Sequence, residues 1–256
     1  MEPNRAGPGT SKRMSWAVTG VVVIFILALS ALPLLARFPG WSQRKAIAEI
    51  KKTKAALEFD GYQNVVSLQI PPGCPLSVLA LVRDLPNLKK LTMPVTDATD
   101  DDLKPLIDSH SIEELILSGN KAITDVGLKA LANLTNLRAL YLTEVPVTGS
   151  SIEAMKGQAK IKELNVAYSR LDMNGLTQLS AFPELEFLDI GYTPCTDAIY
   201  TALLEENGEE KVGDMLAPLR QLPKLKTVWI MDPKSNRNLG AQLQKMLPSM
   251  TVKCGL

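Results

Sequence analysis

One pattern, apolar-x-x-apolar-x-apolar, returns along this chain at nearly constant spacing. It occurs at Val65-Leu68-Ile70, Leu88-Leu91-Met93, Ile112-Leu115-Leu117 and Leu137-Leu140-Leu142. It continues at Ile161-Leu164-Val166, Leu185-Leu188-Ile190 and Leu225-Val228-Ile230. Successive starts are 23, 24, 25, 24, 24 and 40 residues apart. Chance alternation does not keep phase in this way. A fixed period of this size marks stacked units, each of which cannot bury its apolar stripe alone.

A second pattern follows each copy at fixed offset. Thr96, Asn120, Val145, Ser169 and Thr193 occupy one position, followed by Ala98-Thr99-Asp100, Ile123-Thr124-Asp125, Val147-Thr148-Gly149 and Cys195-Thr196-Asp197. Helical doublets come next: Leu103/Leu106, Leu128/Leu131, Ile152/Met155 and Leu176/Leu179. The Thr is placed to cap the helix, and the Asp to sit in its first turn against the dipole. Each copy therefore reads as a short strand, a turn, a helix of about two to three turns and a return. Stacking such units predicts an α/β solenoid. Its parallel sheet lies on the concave face and its helices on the convex face.

These residues resemble the leucine-rich-repeat family. The run Ile112-Glu-Glu-Leu115-Ile-Leu117-Ser-Gly-Asn120 carries its L-x-x-L-x-L-x-x-N signature most completely. Ile123 to Leu128 looks like the helix-containing subtype of ribonuclease-inhibitor-like and bacterial repeat proteins. The resemblance covers the chain from Val65 onward. It implies a binding scaffold for a protein or other ligand. Only Asn120 supplies the family's preferred Asn; the other copies place Thr, Ser or Val there.

The flanks of the array are distinct. Residues 1–16 are polar, basic and Gly/Pro-containing, as in a disordered tail. Residues 17–36 form an uncharged run, about 30 Å as a helix, which matches a bilayer core and predicts a single-pass transmembrane anchor. A cleaved signal peptide, with Ala28-Leu29-Ser30 as its small-residue site, is the alternative. Flanking positive charges nearly cancel; the short tail favours an extracytoplasmic repeat domain over a cytoplasmic one. Residues 37–64 read as an N-terminal cap, with a helix from Ser42 (a candidate N-cap) to about Lys54, then a short strand Ala55 to Phe59. Residues 65–256 form the solenoid. It holds an acidic insertion near 200–214 and a C-terminal cap of the Leu239, Leu243, Leu247 stripe and a strand at Met250 to Val252.

Composition narrows the chemistry. Net charge is +1, with Lys+Arg 28 and Asp+Glu 27, which argues against a nucleic-acid binder held by counterion release. One histidine, His110, and three distant cysteines, Cys74, Cys195 and Cys254, leave little for a metal site or a triad. No phosphate loop, dinucleotide fingerprint or hydrolase elbow occurs. Asp100-Asp101-Asp102 falls at a helix start, where carboxylates are stabilised without a metal. Asn133-Leu134-Thr135 matches a glycosylation sequon. The chain therefore reads as a non-enzyme, with no cofactor, metal or small-molecule substrate.

The strand residues between the apolar ones point away from the core. The central column is Gln69, Thr92, Ile116, Tyr141, Asn165, Asp189 and Trp229; Tyr168 and Tyr192 lie just outside it. Tyr141, Tyr168, Tyr192 and Trp229 thus gather on the concave face of the later repeats, where they either anchor a partner or pack on one another. The expected function is binding of a protein or other macromolecular partner by a membrane-anchored repeat protein. A non-catalytic adaptor recruiting an enzyme and a structural envelope protein are the alternatives.

Overall fold

The computed structural model describes residues 40–231 and 237–254. The strands are β1 (Ala56–Phe59), β2 (Val65–Gln69), β3 (Lys90–Thr92), β4 (Glu114–Ile116), β5 (Ala139–Tyr141), β6 (Glu163–Asn165), β7 (Phe187–Asp189), β8 (Thr227–Trp229) and β9 (Thr251–Lys253). They form one nine-stranded sheet in chain order. β1 is antiparallel to β2, and every later pair is parallel. This is an α/β solenoid.

The register is in phase with the repeat. Leu68, Leu91, Leu115, Leu140, Leu164, Leu188 and Val228 are aligned across the sheet. All seven are fully buried. Their neighbours on either side in β3, β4 and β5 are half-exposed, so one face of the sheet stays open. The core lies between the sheet and the return segments, where Leu103, Leu106, Leu128, Leu131, Ile152, Met155, Leu176 and Leu179 are also fully buried.

The return segments are shorter and tighter than the sequence predicts. Leu76–Asp84 and Asp101–Leu106 are 3-10 helices, the second containing Pro105. Asp125–Leu128 is a single α-turn continued as the 3-10 segment Lys129–Asn133. Gly149–Ala154 and Met173–Gln178 are α-helical. A 3-10 helix rises about 2.0 Å per residue against 1.5 Å for α, so a short repeat spans the same distance with fewer residues.

Capping follows the expected logic with three corrections; in the first copy Asp100, not Thr99, precedes the Asp101–Leu106 helix, and it makes no side-chain cap hydrogen bond. Thr124 and Thr148 accept from the backbone N–H of Val126 and Ser150, as expected. In the Pro194–Leu203 helix the cap is Thr193, not Thr196; Thr196 completes a capping box three residues later. Pro194 causes the shift, because its fixed φ is suited to the first helical position. The helix Trp41–Ile50 starts after Gly40 without a side-chain cap, so Ser42 lies inside it.

One buried asparagine organises the early turns. Asn120 Oδ1 accepts from Thr96 N at 2.9 Å, Thr96 Oγ1 at 2.9 Å and Ala98 N at 3.2 Å. Its Nδ2 donates to the carbonyls of Met93 and Leu117. The acidic triplet also serves the turns: Asp100 accepts from Thr124, Asp102 from Thr99, and Asp101 pairs with Lys104.

The ends are closed. Ala46 and Ile50 enter the core at one end. Leu243 and Leu247 enter it at the other, beside β9. The longer step between repeats contains the helices Gly208–Met215 and Ala217–Arg220, with Val212 and Leu219 buried.

The single-pass membrane localisation expected from the sequence is corrected here. Among the described residues, no helix is long and apolar enough to cross a membrane. The helices Trp41–Ile50, Pro194–Leu203 and Arg237–Met246 have 10 residues each. That is about 15 Å, half a bilayer core. Residues 1–16 and the run at 17–36, on which that expectation rested, lie outside the described residues.

Candidate partner-binding face

After each strand the chain makes the same turn. Val95, Gly119, Glu144, Tyr168 and Tyr192 all have positive φ, between 52° and 79°. Their N–H groups donate to Ser118, Thr143, Ala167, Gly191 and Met231 respectively, each carbonyl in the next repeat. The left-handed backbone is thus a property of the turn, and it extends the hydrogen-bonded ladder beyond the strands. It also turns the side chain outward: Val95 is 57% exposed and Tyr168 53% exposed.

In the last two of these turns the outward residue is tyrosine. The Tyr168 and Tyr192 rings stack with centroids 4.4 Å apart and planes 11° apart. That is the distance and tilt of a favourable aromatic pair. Trp229 does not join this stack. It meets Phe187 edge-on, with centroids 5.7 Å apart and an interplanar angle of 69°, and remains exposed.

Tyr141 lies in the same strand row as Asn165, Asp189 and Trp229. Its hydroxyl donates to Glu163 Oε2 at 2.5 Å. Partial burial, with the Glu163 hydrogen bond second, pushes the phenol far above its ordinary range. The four sequence-predicted residues form three separate contacts rather than one cluster.

Between Tyr141 and Trp229 runs a polar chain that the sequence did not single out. Thr143 Oγ1 donates to Asn165 Oδ1 at 2.9 Å, and Asn165 Nδ2 donates to Asp189 Oδ2 at 3.0 Å. Gly191 N–H donates to Asp189 Oδ1 at 3.0 Å. Asp189 is only 6% exposed. Burial raises its carboxyl pKa, against the lowering effect of the Gly191 and Asn165 donors.

The strand-start row is different. Glu113 lies between Lys89 and Arg138, and Glu186 between Lys162 and Lys226. Lys90 pairs with Glu114. These charges largely neutralise one another along the row.

Other candidates resolve into structural roles. The His110 imidazole Nδ1–H donates to the Asn133 carbonyl at 2.8 Å. Cys195 is fully buried, with burial pushing its thiol up to about 11. Among the described residues no group of His, Cys, Asp and Glu is arranged to hold a metal ion. An open hollow lies over earlier repeats, lined by Val95, Asp97, Gly119, Lys121 and Ala122.

Residues 108–132 match the leucine-rich-repeat family model. Among curated proteins none matches the chain. Among solved structures, internalin C2 of Listeria monocytogenes is similar at 20% identity and TM-score 0.45, over 78% of this chain and 87% of that one. The TLR13 chain of a TLR13–ssRNA13 complex is similar at 17% identity and TM-score 0.42, over 62% of this chain. This chain spans 24% of that TLR13 chain.

Proposed function

We propose that this chain is a non-catalytic leucine-rich-repeat scaffold that binds a protein partner through the open face of its sheet. Tyr141, Tyr168, Tyr192 and Trp229 are the anchors. The stacked Tyr168–Tyr192 pair carries the reading, because it holds two large rings together at a solvent-facing turn with Tyr168 half in water. Rings so placed contribute little to the core, whereas rigid aromatics with a polar tip are effective interface anchors. The repeat belongs, on this reading, to the helix-containing ribonuclease-inhibitor-like or bacterial subtype. The α-helical returns Gly149–Ala154 and Met173–Gln178 support that assignment. The domain division at 37–64 and 65–256, with the insertion near 200–214, is part of the same proposal.

A protein fits this face better than a nucleic acid. Glu163 and Asp189 place two carboxylates among the aromatics, where they would repel a phosphate backbone. The test is crosslinking capture of the partner with the full chain, followed by titration of Tyr168→Ala and Trp229→Ala. Loss of affinity with unchanged thermal stability is the expected result.

A further inference from the structure

Asp189 is a nearly buried carboxylate whose described donors are both uncharged: Asn165 Nδ2 and Gly191 N–H. Neither donor carries a charge that would balance the carboxylate. No described Lys or Arg forms an ion pair with it or with Glu163, whose described donor is the Tyr141 hydroxyl. The cations at the strand starts, Lys162 and Lys226, are engaged by Glu186. Lys253 is aligned with Trp229 on β9, two strand spacings or about 10 Å from the Asp189 column. Two aromatic residues neighbour Asp189, one across the sheet and one along the chain. Trp229 is its register partner on β8. Tyr192 follows it closely in the next turn, stacked on Tyr168.

We propose that the protein partner seats an arginine side chain on Asp189, between the Tyr168–Tyr192 stack and Trp229. A guanidinium suits this arrangement on three counts. It donates hydrogen bonds to a carboxylate in a planar fork. Its flat face lies against aromatic rings and is attracted by their negative π-surface. Partial exclusion of water strengthens its attraction to a buried charge. Glu163, two residues before Asn165 on β6 and in register with Phe187, adds a second negative charge at the start of the same strand.

This inference rests on the partner-binding reading above, and its test separates the two. The probes are an octapeptide of alternating Gly and Arg, the same peptide with citrulline for arginine, and a dodecamer of oligouridylate. Each is titrated against the full chain at low salt. The arginine peptide is expected to bind at least about tenfold tighter than its neutral isostere, as charge-assisted pairing predicts. Asp189→Asn should remove that preference while its thermal unfolding stays near the parent's, and Trp229→Ala should reduce it. Lysine substitutions at Glu206, Glu209 and Glu210 together should leave it unchanged. Equal binding of the two peptides, no binding of either, a preference that survives Asp189→Asn, or tighter binding of oligouridylate would each overturn the arginine seat. If the captured partner needs Trp229 yet both peptides compete with it alike, only the seat is wrong. If the partner ignores Trp229, the open-face reading itself is wrong.

Discussion

The Asp125 carboxylate grips Thr148 of the following repeat at two points: Oδ1 accepts its N–H at 2.7 Å and Oδ2 accepts its hydroxyl at 2.6 Å. Thr148 in turn caps its own helix through Ser150 N–H. One repeat's first-turn acid is therefore the clamp on the next repeat's cap. Asp100 and Thr124 repeat the arrangement one unit earlier.

That clamp gives a stability prediction. Asp125→Ala leaves a part-buried N–H and hydroxyl without their partner. Hydrogen bonds to charged groups contribute about 1.5–3 kcal/mol, so urea unfolding should show a loss of roughly that size. Asp125→Asn, which keeps one acceptor, should lose less. Equal midpoints for Asp125→Ala and the parent would show that the clamp contributes nothing.

The repeat phase was legible because burial of one leucine per strand fixes it: Leu115, Leu140 and Leu164 align in the sheet as their spacing requires. The start of the Pro194–Leu203 helix was not, because the threonine pattern at Thr196 competes with a proline-directed start at Thr193. The site was half legible. The offsets of Tyr168 and Tyr192 placed them on one surface, but their stacking depends on left-handed turns that no local signal at a tyrosine announces. Asp189 was missed as a special residue because an isolated Asp on a strand reads as solvated. Its burial goes with hydrogen bonds from Asn165 in the preceding repeat and from Gly191 in the following turn.

Close packing of two helices supplies a second prediction. A Cβ added at Gly149 would lie 2.6 Å from both the Cα and the N of Gly175. Backbone cannot move aside as a flexible side chain can. Gly149→Ala should therefore destabilise the domain by about 1–3 kcal/mol, the usual cost of overpacking, although alanine favours helix. Thermal unfolding of the variant decides this; an unchanged or higher midpoint would refute the contact.

A third prediction concerns acid. Hydrogen bonds from Lys226 first, and from Lys162, hold the Glu186 carboxyl down to about 2 from 4.5. Because the folded-state value is the lower one, the stabilisation is present above about pH 4.5 and is lost as pH falls toward 2. The difference in melting temperature between the parent and Glu186→Gln should be constant from neutral pH to about 5. It should then close through that window and shrink in high salt. A gap that persists undiminished at pH 2 would mean that the lysines do not act through the ionised carboxylate.

The central claim is that the open face of the sheet, through its aromatic anchors, holds the partner. The most direct measurement is a titration of the captured partner against the parent, Trp229→Ala and Tyr168→Ala. Lys129→Ala and Lys156→Ala, in the exposed return segments, serve as controls. The account predicts that each aromatic truncation weakens binding by about 1–4 kcal/mol, as interface anchors do, with melting temperatures close to the parent's and both lysine variants binding normally. Normal binding by both aromatic variants, together with loss of binding when Glu206, Glu209 and Glu210 are changed to lysine, would contradict it and move the contact to the acidic insertion.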